Sequence, residues 1–443
     1  MSSSDPSSSD EEEISESEAS SGEELSWWDE RLLLIKENDP GVKSIASYGN
    51  DGHIQNMTDE EWEELGRDIA SNTHLTDVYL CSEALNDHKI SCLFRGLTRS
   101  NTLKHLDLCS KIPRAVGVRS MVPFLQNANN LIKLDLGFNN ILSEGFKILL
   151  RALSDSPIEE LRCNDCGIES IGFDNELMLK NLKFLRLYDN IINTDGCRGL
   201  VKLLQRRHAT LESLSLQRNK IGDDGVEILV DALRSNTSLR ELYLSGNYAI
   251  SKRGMIMMLK LVNDISSIEA TLQSNHTLTQ FYYTEPHVVE SFVDDQIQKL
   301  LDTSADINRN ADSPEAAGRE KVIRTQLHSE RRAELADIQG VTHSVYGEIE
   351  TLYLPEVLSL ISKRNGEKEL FPSLKSSMVG LLSRVDMKLC IQKQVAYHTA
   401  RLKELGNRLA VIEDAEESTE SVESESRSIK RRRKWWWGLW GRT

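Results

Sequence analysis

Two cysteines separated by two residues form the one spacing in this sequence that is typical of metal or redox chemistry. They lie in the segment Cys163-Asn-Asp-Cys166. A zinc site of this kind needs a second such pair, and a redox site needs a thioredoxin-like context. The sequence has neither, so we interpret both cysteines as structural residues. Cys81 and Cys109 are predicted near strand ends, with no neighbouring cation in the sequence that would activate a thiol.

The sequence motifs of common enzyme classes are also missing. The 10 histidines form no H-x-x-x-H ligand spacing, and the sequence has no phosphate-binding G-x-x-x-x-G-K-S/T loop. It has no G-x-S-x-G nucleophile elbow and no set of kinase motifs. The seven cysteines are widely spaced and predict no disulfide framework. We therefore predict a non-enzymatic protein with no catalytic residue, no cofactor and no metal.

The charge of the chain is concentrated at its amino-terminal end. Of the net charge of -16, nine acidic groups lie in residues 1–28, which contain no lysine or arginine. This segment predicts a disordered, acidic, serine-rich tail. The remainder is only mildly acidic, so we expect no nucleic-acid partner. No segment resembles a signal peptide or an apolar stretch of about 18–20 residues. These features predict an intracellular, cytoplasmic protein, with the nucleus as an alternative.

The last residues, 414–443, combine an acidic serine-rich stretch with a basic and tryptophan-rich one. We predict that this tail is disordered. The basic run suits nuclear import, whereas tryptophan beside cations suits contact with a membrane surface. Docking into a groove of a partner protein, or no function, are further alternatives. The residues concerned are Lys430, Arg431, Arg432, Arg433, Lys434, Trp435, Trp436, Trp437 and Trp440.

A repeating pattern in the middle of the chain must position all other candidate residues. The pattern is L-x-x-L-x-L-x-x-N, and its four full copies begin at Leu131, Leu182, Leu211 and Leu239. Weaker copies begin at Leu75, Leu103 and Ile158, and edge copies begin at Val42 and Leu278. From Leu75 to Leu239 the starts advance by 28, 28, 27, 24, 29 and 28 residues. Such self-similarity predicts a solenoid of stacked units.

Each half of the repeat has a physical explanation. The first half predicts a short strand whose leucines point inward and stack on those of neighbouring repeats. The asparagine at the ninth position can hydrogen-bond the turning backbone, and Cys166 takes that position in its repeat. In the second half Val226, Leu229, Val230 and Leu233 recur at helical spacing. Each unit therefore predicts one strand followed by one helix.

Repeats of about 28 residues with a full helix resemble the ribonuclease-inhibitor class of leucine-rich repeats. This class also includes Ran GTPase-activating proteins and the repeat domains of NOD-like receptors. The resemblance covers roughly residues 42–290. It implies an α/β fold, namely a curved solenoid with a concave parallel sheet and convex helices. It also implies protein binding as the general function.

The side chains between the buried leucines are predicted to form the concave binding face. They include aromatic and arginine residues, which often anchor protein interfaces. The candidate binding residues are Tyr79, Asp107, Asp135, Phe138, Arg162, Phe184, Arg186, Tyr188, Arg218, Glu241 and Tyr243. Their predicted neighbours on the strands include Asp77, His105, Lys133, Glu160, Ser213 and Ser215.

The repeats divide the chain into predicted regions. Residues 29–290 form the solenoid of about eight or nine repeats. Residues 291–318 form a cap helix and a linker, the linker running over the polar stretch from Thr303 to Gly318. Residues 319–413 form a helical region. Heptad spacing over 388–413 suits a short coiled coil and self-association, while a helix folded back onto residues 354–382 buries the same stripe equally well.

These observations predict a scaffold or adaptor that binds a protein partner of unknown identity on the concave face. Two alternatives remain open at this point. The resemblance to Ran GTPase-activating proteins implies a regulator of a GTPase, although no activating residue can be matched in this sequence. The tryptophan and arginine tail suggests a scaffold at a membrane surface, with peripheral contact only.

Overall fold

The computed structural model describes residues 26–48, 52–81, 85–98, 100–109, 115–172, 179–205, 209–282, 295–327, 329–341 and Lys403. These residues belong to two compact units. The first unit holds residues 1–168 and 176–182, and the second holds 169–175 and 183–443. Apart from residues 26–28 and Lys403, the predicted tails and the predicted coiled coil over 388–413 lie outside the described residues. Among the helices of the described ranges, none is both long and apolar enough to cross a membrane.

The first unit contains five strands, and each pairs in parallel with the next in the sequence. Their central residues align in register and are almost completely buried, as Val78, Leu106 and Leu134 illustrate. The strands are β1 (Ser44–Tyr48), β2 (Asp77–Cys81), β3 (His105–Asp107), β4 (Lys133–Asp135) and β5 (Glu160–Arg162).

The second unit repeats this arrangement with four parallel strands. Leu185, Leu214 and Leu242 align in register across it and are buried. The strands are β6 (Phe184–Arg186), β7 (Ser213–Ser215), β8 (Glu241–Tyr243) and β9 (Gln280–Tyr282). Parallel strands alternating with helices in both units confirm the predicted leucine-rich-repeat solenoid.

Helices follow the strands and pack on one another. In the first unit they are α1 (Trp27–Lys36), α2 (Gly52–Asn56), α3 (Asp59–Ser71), α4 (Asp87–Leu97), α5 (Ala115–Leu125) and α6 (Leu142–Ala152). Thr58 begins α3 with a reciprocal capping box to Glu61. The closest packing lies between α3 and α4, where a Cβ added at Gly66 would stand 2.1 Å from the carbonyl oxygen of Leu93. Glycine is required at this position because any side chain would push the two helices apart.

The helices of the second unit include a group of three after the last strand. They are α7 (Thr194–Leu204), α8 (Asp223–Leu233), α9 (Lys252–Val262), α10 (Ile268–Leu272), α11 (Asp295–Asn310), α12 (Pro314–Leu327) and α13 (Ser329–Gln339). Asn308 of α11 donates from Nδ2 to the carbonyl of Leu278 over 2.6 Å. Gln339 of α13 donates to the carbonyl of Asn263 over 2.8 Å. These contacts attach α11 and α13 to the last repeats.

The ninth-position asparagines bind the backbone of two successive repeats. In Asn219, Nδ2 donates to the carbonyls of Leu187 and Leu216 over 2.9 and 3.0 Å, and Oδ1 accepts from the amide of Ile192 over 2.9 Å. Cys166 makes part of this set, because its thiol donates to the carbonyl of Leu136 over 3.1 Å. The substitution of cysteine for asparagine keeps a donor to the preceding repeat but has no amide oxygen to accept a bond.

The structure corrects the linker predicted from Thr303 to Gly318. This stretch is mostly helical, because α11 continues to Asn310 and α12 begins at Pro314. The hydroxyl of Thr303 donates to the carbonyl of Lys299 over 2.7 Å, so its polar group is satisfied inside the helix. Ser313 accepts from the amide of Ala316 over 3.2 Å at the start of α12. Residues interpreted as loop formers therefore serve as helical and capping residues.

Candidate protein-binding surface

The candidate surface consists of the side chains that alternate with the buried leucines along each strand. We call these side chains the strand surface of each unit. In β2, Tyr79 is half-buried between the buried residues Val78 and Leu80. Phe184 and Arg186 are likewise half-buried on either side of Leu185. This alternation places most of the predicted binding residues on one face of each sheet, as the period of a strand requires.

On the strand surface of the first unit, the charged side chains neutralise one another. His105 contacts the carboxylate of Asp77 through Nδ1. Burial alone would raise the pKa of Asp77, but hydrogen bonds from Thr76 and His105 hold it below its ordinary value. Arg162 bridges two carboxylates, with Nε 2.6 Å from Glu160 and Nη1 3.7 Å from Asp135. Few charges on this surface are therefore left for a protein partner to pair with.

Asp135 contributes less to the surface than the sequence predicts. Only 7% of the residue is exposed, and its Oδ1 accepts from the amide of Gly137 over 2.9 Å. Burial raises the pKa of this carboxyl group above its ordinary value, an effect that the amide of Gly137 opposes. Asp135 is thus mainly a buried acceptor at a turn, and the prediction that it forms part of an open binding face is corrected.

Two thiols lie beside the carboxylate of Asp107. Cys81 donates from Sγ to Oδ1 of Asp107 over 3.3 Å, and the amide of Cys109 donates to the same oxygen over 3.1 Å. The thiol of Cys109 stands 3.5 Å from Oδ1 of Asp135. The pKa of Cys109 is raised by its contact with Cys81, by burial and by the two carboxylates. Sequence analysis missed this cluster, although the 28-residue separation of the cysteines equals one repeat.

On the strand surface of the second unit, an arginine stacks on a tyrosine. The guanidinium carbon of Arg186 lies 5.7 Å from the ring centroid of Tyr243. The two residues flank Ser215 in register across β7, and Ser215 is only 2% exposed. Ser213 is likewise buried, so the prediction that both serines lie open on the binding face is corrected. The hydroxyl of Tyr243 donates to Glu241 over 3.1 Å, which fixes the ring.

A second arginine and tyrosine pair lies just after β6 and β7. The guanidinium of Arg218 lies 5.5 Å from the ring centroid of Tyr188, and its Nη1 donates to the Tyr188 hydroxyl over 2.8 Å. Arg218 has a left-handed backbone, with φ of 50°, and Phe138 has φ of 61° at the same repeat position. This turn directs both side chains outward, and Phe138 is 51% exposed.

The comparisons with known proteins agree with this architecture. A family model described as "Leucine Rich repeat" matches residues 207–230 and 235–259. The chain is 30% identical to a ribonuclease inhibitor of Sus scrofa over 198 residues, which is 43% of each protein. A ribonuclease inhibitor of Mus musculus is 26% identical over 275 residues, which cover 58% of this chain and 59% of the relative.

A human relative belongs to a second kind of repeat protein. It is "NACHT, LRR and PYD domains-containing protein 14" of Homo sapiens, which is 29% identical over 192 residues, or 42% of this chain and 18% of the relative. The chain therefore spans less than two thirds of the length of each of these three relatives. Fold, repeats and relatives together define a leucine-rich-repeat protein. More particularly, the repeat matches and the ribonuclease inhibitor relatives support a ribonuclease-inhibitor-like leucine-rich-repeat protein.

Proposed function

We propose that this protein is a non-enzymatic scaffold that binds a partner protein through the strand surface of its second unit and the turns that follow β6 and β7. Leucine-rich-repeat proteins are in general protein-interaction modules. The observation that carries the proposal is the pair of arginine and tyrosine stacks, Arg186 on Tyr243 and Arg218 on Tyr188. Arginine and tyrosine are enriched among the residues that dominate binding energy in protein interfaces.

The stacks favour binding because they order the side chains in advance. An interface loses about 0.5–1.5 kcal/mol for each flexible side chain that it immobilises. Tyr188 is hydrogen-bonded to Arg218, and Tyr243 is hydrogen-bonded to Glu241, so part of this cost is already met in the free protein. A rigid aromatic ring beside a guanidinium offers both apolar area and directed donors to a partner.

The same geometry indicates the chemistry of the partner. A guanidinium carries five N–H donors in a planar fork, and that of Arg218 already donates from Nη1 to the hydroxyl of Tyr188. Carboxylates and backbone carbonyls are the acceptors that match this fork best. We therefore expect the partner to present acidic side chains or a loop with exposed carbonyl groups to Arg186 and Arg218.

Affinity purification of the full chain, followed by mass spectrometry, tests this proposal. The variant carries Phe184→Ala, Tyr188→Ala and Tyr243→Ala together. We expect it to lose the proteins that the unchanged chain captures. The matched control is Tyr248→Ala, because Tyr248 is 77% exposed and follows β8 without belonging to either stack. Capture of the same partners at the same yield by the triple variant would rule out this surface.

A further inference from the structure

The thiol cluster of the first unit has the composition of a metal site. Cys81, Asp107 and Cys109 each offer one donor atom, and these atoms all lie within 4.8 Å of one another. Cys81 ends β2, while Asp107 ends β3 and is followed by Leu108 and then Cys109. Because β2 and β3 pair with Tyr79 opposite Asp107, the two cysteines are direct neighbours across the sheet edge.

The distances suit tetrahedral coordination. With Zn–S bonds of about 2.3 Å and Zn–O bonds of about 2.0–2.2 Å, a sulfur and an oxygen ligand stand about 3.5 Å apart. The Sγ of Cys81 is 3.3 Å from Oδ1 of Asp107. The Sγ of Cys109 is 3.5 Å from Oδ1 of Asp135, which places a second carboxylate beside the cluster. The separation of Cys81 Sγ from Asp107 Oδ1 is therefore close to that of two ligands of one zinc ion.

The electrostatic surroundings favour a cation over two free thiolates. The carboxylate of Asp107 belongs to the cluster, and Oδ1 of Asp135 lies 3.5 Å from the Sγ of Cys109, so carboxylate groups surround the proposed position of the ion. Arg162, a cation of the same strand surface, already contacts Glu160 and Asp135. A divalent cation would offset the negative charge that two thiolates would add beside these carboxylates.

We propose that Cys81, Cys109 and Asp107 bind Zn²⁺, with the fourth coordination position open. Two thiolates and a carboxylate match the ligand preference of zinc, whereas magnesium and calcium prefer oxygen ligands alone. On binding, two S–H bonds are lost, two Zn–S bonds form, and two protons pass to solvent. The sequence predicts Asp107 as a residue that contacts the partner protein. The proposal assigns it to the metal instead.

A second cluster provides the alternative location. Asp59, His88 and Cys92 also bring donor atoms within 4.8 Å of one another. Asp59 and His88 are exposed and already paired over 2.8 Å, while Cys92 is buried in the helical core at 2% exposure. This cluster offers one thiol against two in the strand-end cluster, and its imidazole is already paired with Asp59, so we assign the ion to the strand-end cluster.

Metal titration of the full chain tests the assignment. The reduced protein is freed of metal and titrated with ZnCl₂ against a chromophoric chelator, and then with Co²⁺ to detect thiolate-to-metal charge-transfer absorption. We expect one equivalent of Zn²⁺ and a charge-transfer band. Cys81→Ser, Cys109→Ser and Asp107→Asn should each weaken binding by about 100-fold or more, since loss of an outer-shell partner alone costs about 10- to 100-fold.

Two controls make the result specific. Cys197→Ala removes a buried thiol of α7 in the second unit and should leave zinc binding unchanged. His88→Ala removes a ligand of the alternative cluster and should also have no effect. Circular dichroism reports whether each variant folds, and the serine variants keep a hydroxyl that can still donate to a carboxylate. The proposal is overturned if the folded, unchanged chain binds no zinc, or if only His88→Ala abolishes binding.

Discussion

The strand surfaces of the two units share one backbone pattern but hold their charged side chains in different ways. In the first unit acids pair with bases, as in the contacts of Arg162 with Glu160 and Asp135. In the second unit the arginines stack on tyrosines, as Arg186 does on Tyr243. The leucines beneath are equivalent in both units, so the repeat leaves the chemistry of the surface free to vary. This difference leads us to place protein binding in the second unit and metal binding in the first.

The largest expected effect on stability comes from replacing the ninth-position residue of a repeat, whose side chain bonds the backbone beneath the strand surface in both units. Asn219→Ala deletes two donated bonds and one accepted bond to buried backbone groups. Each buried group left without a partner costs about 1–3 kcal/mol, so we expect a loss of about 4 kcal/mol in the free energy of unfolding. Urea denaturation followed by circular dichroism measures it.

Cys166→Ala is the matched variant in the first unit. It removes a weaker thiol donor to the carbonyl of Leu136, so we expect a smaller loss, about 1–2 kcal/mol. Equal losses of unfolding free energy for Cys166→Ala and Asn219→Ala would contradict this prediction. They would show that the number of bonds to the backbone does not determine how much the ninth-position residue stabilises the fold.

The second prediction concerns a cation that the second unit buries away from its surface. Lys321 is 1% exposed, and its Nζ donates to the carbonyl of Val262 over 2.6 Å. Burial lowers its pKa to about 7. The unfolded chain therefore binds one more proton than the folded chain between about pH 7 and 10.5. Stability should rise with pH across this window by up to about 1.4 kcal/mol per unit.

Unfolding free energies at pH 7.5, 8.5 and 9.5 test this pH dependence, with Lys321→Met as the comparison. The variant should show a flatter dependence because it lacks the titrating group. His276, whose pKa is lowered to about 4 by burial and by Lys321, adds a similar rise only between about pH 4 and 6.5. An identical slope for both proteins above pH 7 would contradict the role given to Lys321.

The smallest effect is expected for a surface pair of the first unit. His105→Ala removes the contact with Asp77. The side chains of both residues are partly exposed. Partly exposed contacts of this kind contribute about 0–1 kcal/mol, so we expect less than about 1 kcal/mol of destabilisation. At a pH at which the imidazole is protonated the contact is an ion pair, and the loss should then shrink in high salt because both groups are accessible to counterions. Thermal unfolding at two salt concentrations measures it, and a loss of several kcal/mol would show that the pair is structural.

Much of the fold could be predicted because the repeat fixes residue type at each position. The leucine of β7 and the asparagine at 219 follow directly from the pattern and take their expected places. The linker could not be predicted, because Thr303 and Ser313 are satisfied by bonds that only the folded helices offer. The composition of this stretch is equally typical of a loop.

The candidate surface was predictable only as a set of positions. Ser215 is buried because Arg186 and Tyr243 meet across it, and no local pattern encodes the reach of side chains from neighbouring strands. The thiol cluster likewise depends on the superposition of Cys81 and Cys109 after one full repeat. Contacts of this kind follow from the register of the sheet. The spacing of the repeats determines this register, but the contacts cannot be read from any local sequence pattern.

The most direct test of the central claim is the dissociation constant of the captured partner for one arginine variant in each unit. We expect Arg218→Ala to weaken binding by about 2 kcal/mol, or roughly 30-fold, as for an interface anchor. Arg162→Ala, in the charge-paired surface of the first unit, should change the dissociation constant by less than about threefold. A large loss for Arg162→Ala with no loss for Arg218→Ala would instead place the partner on the first unit.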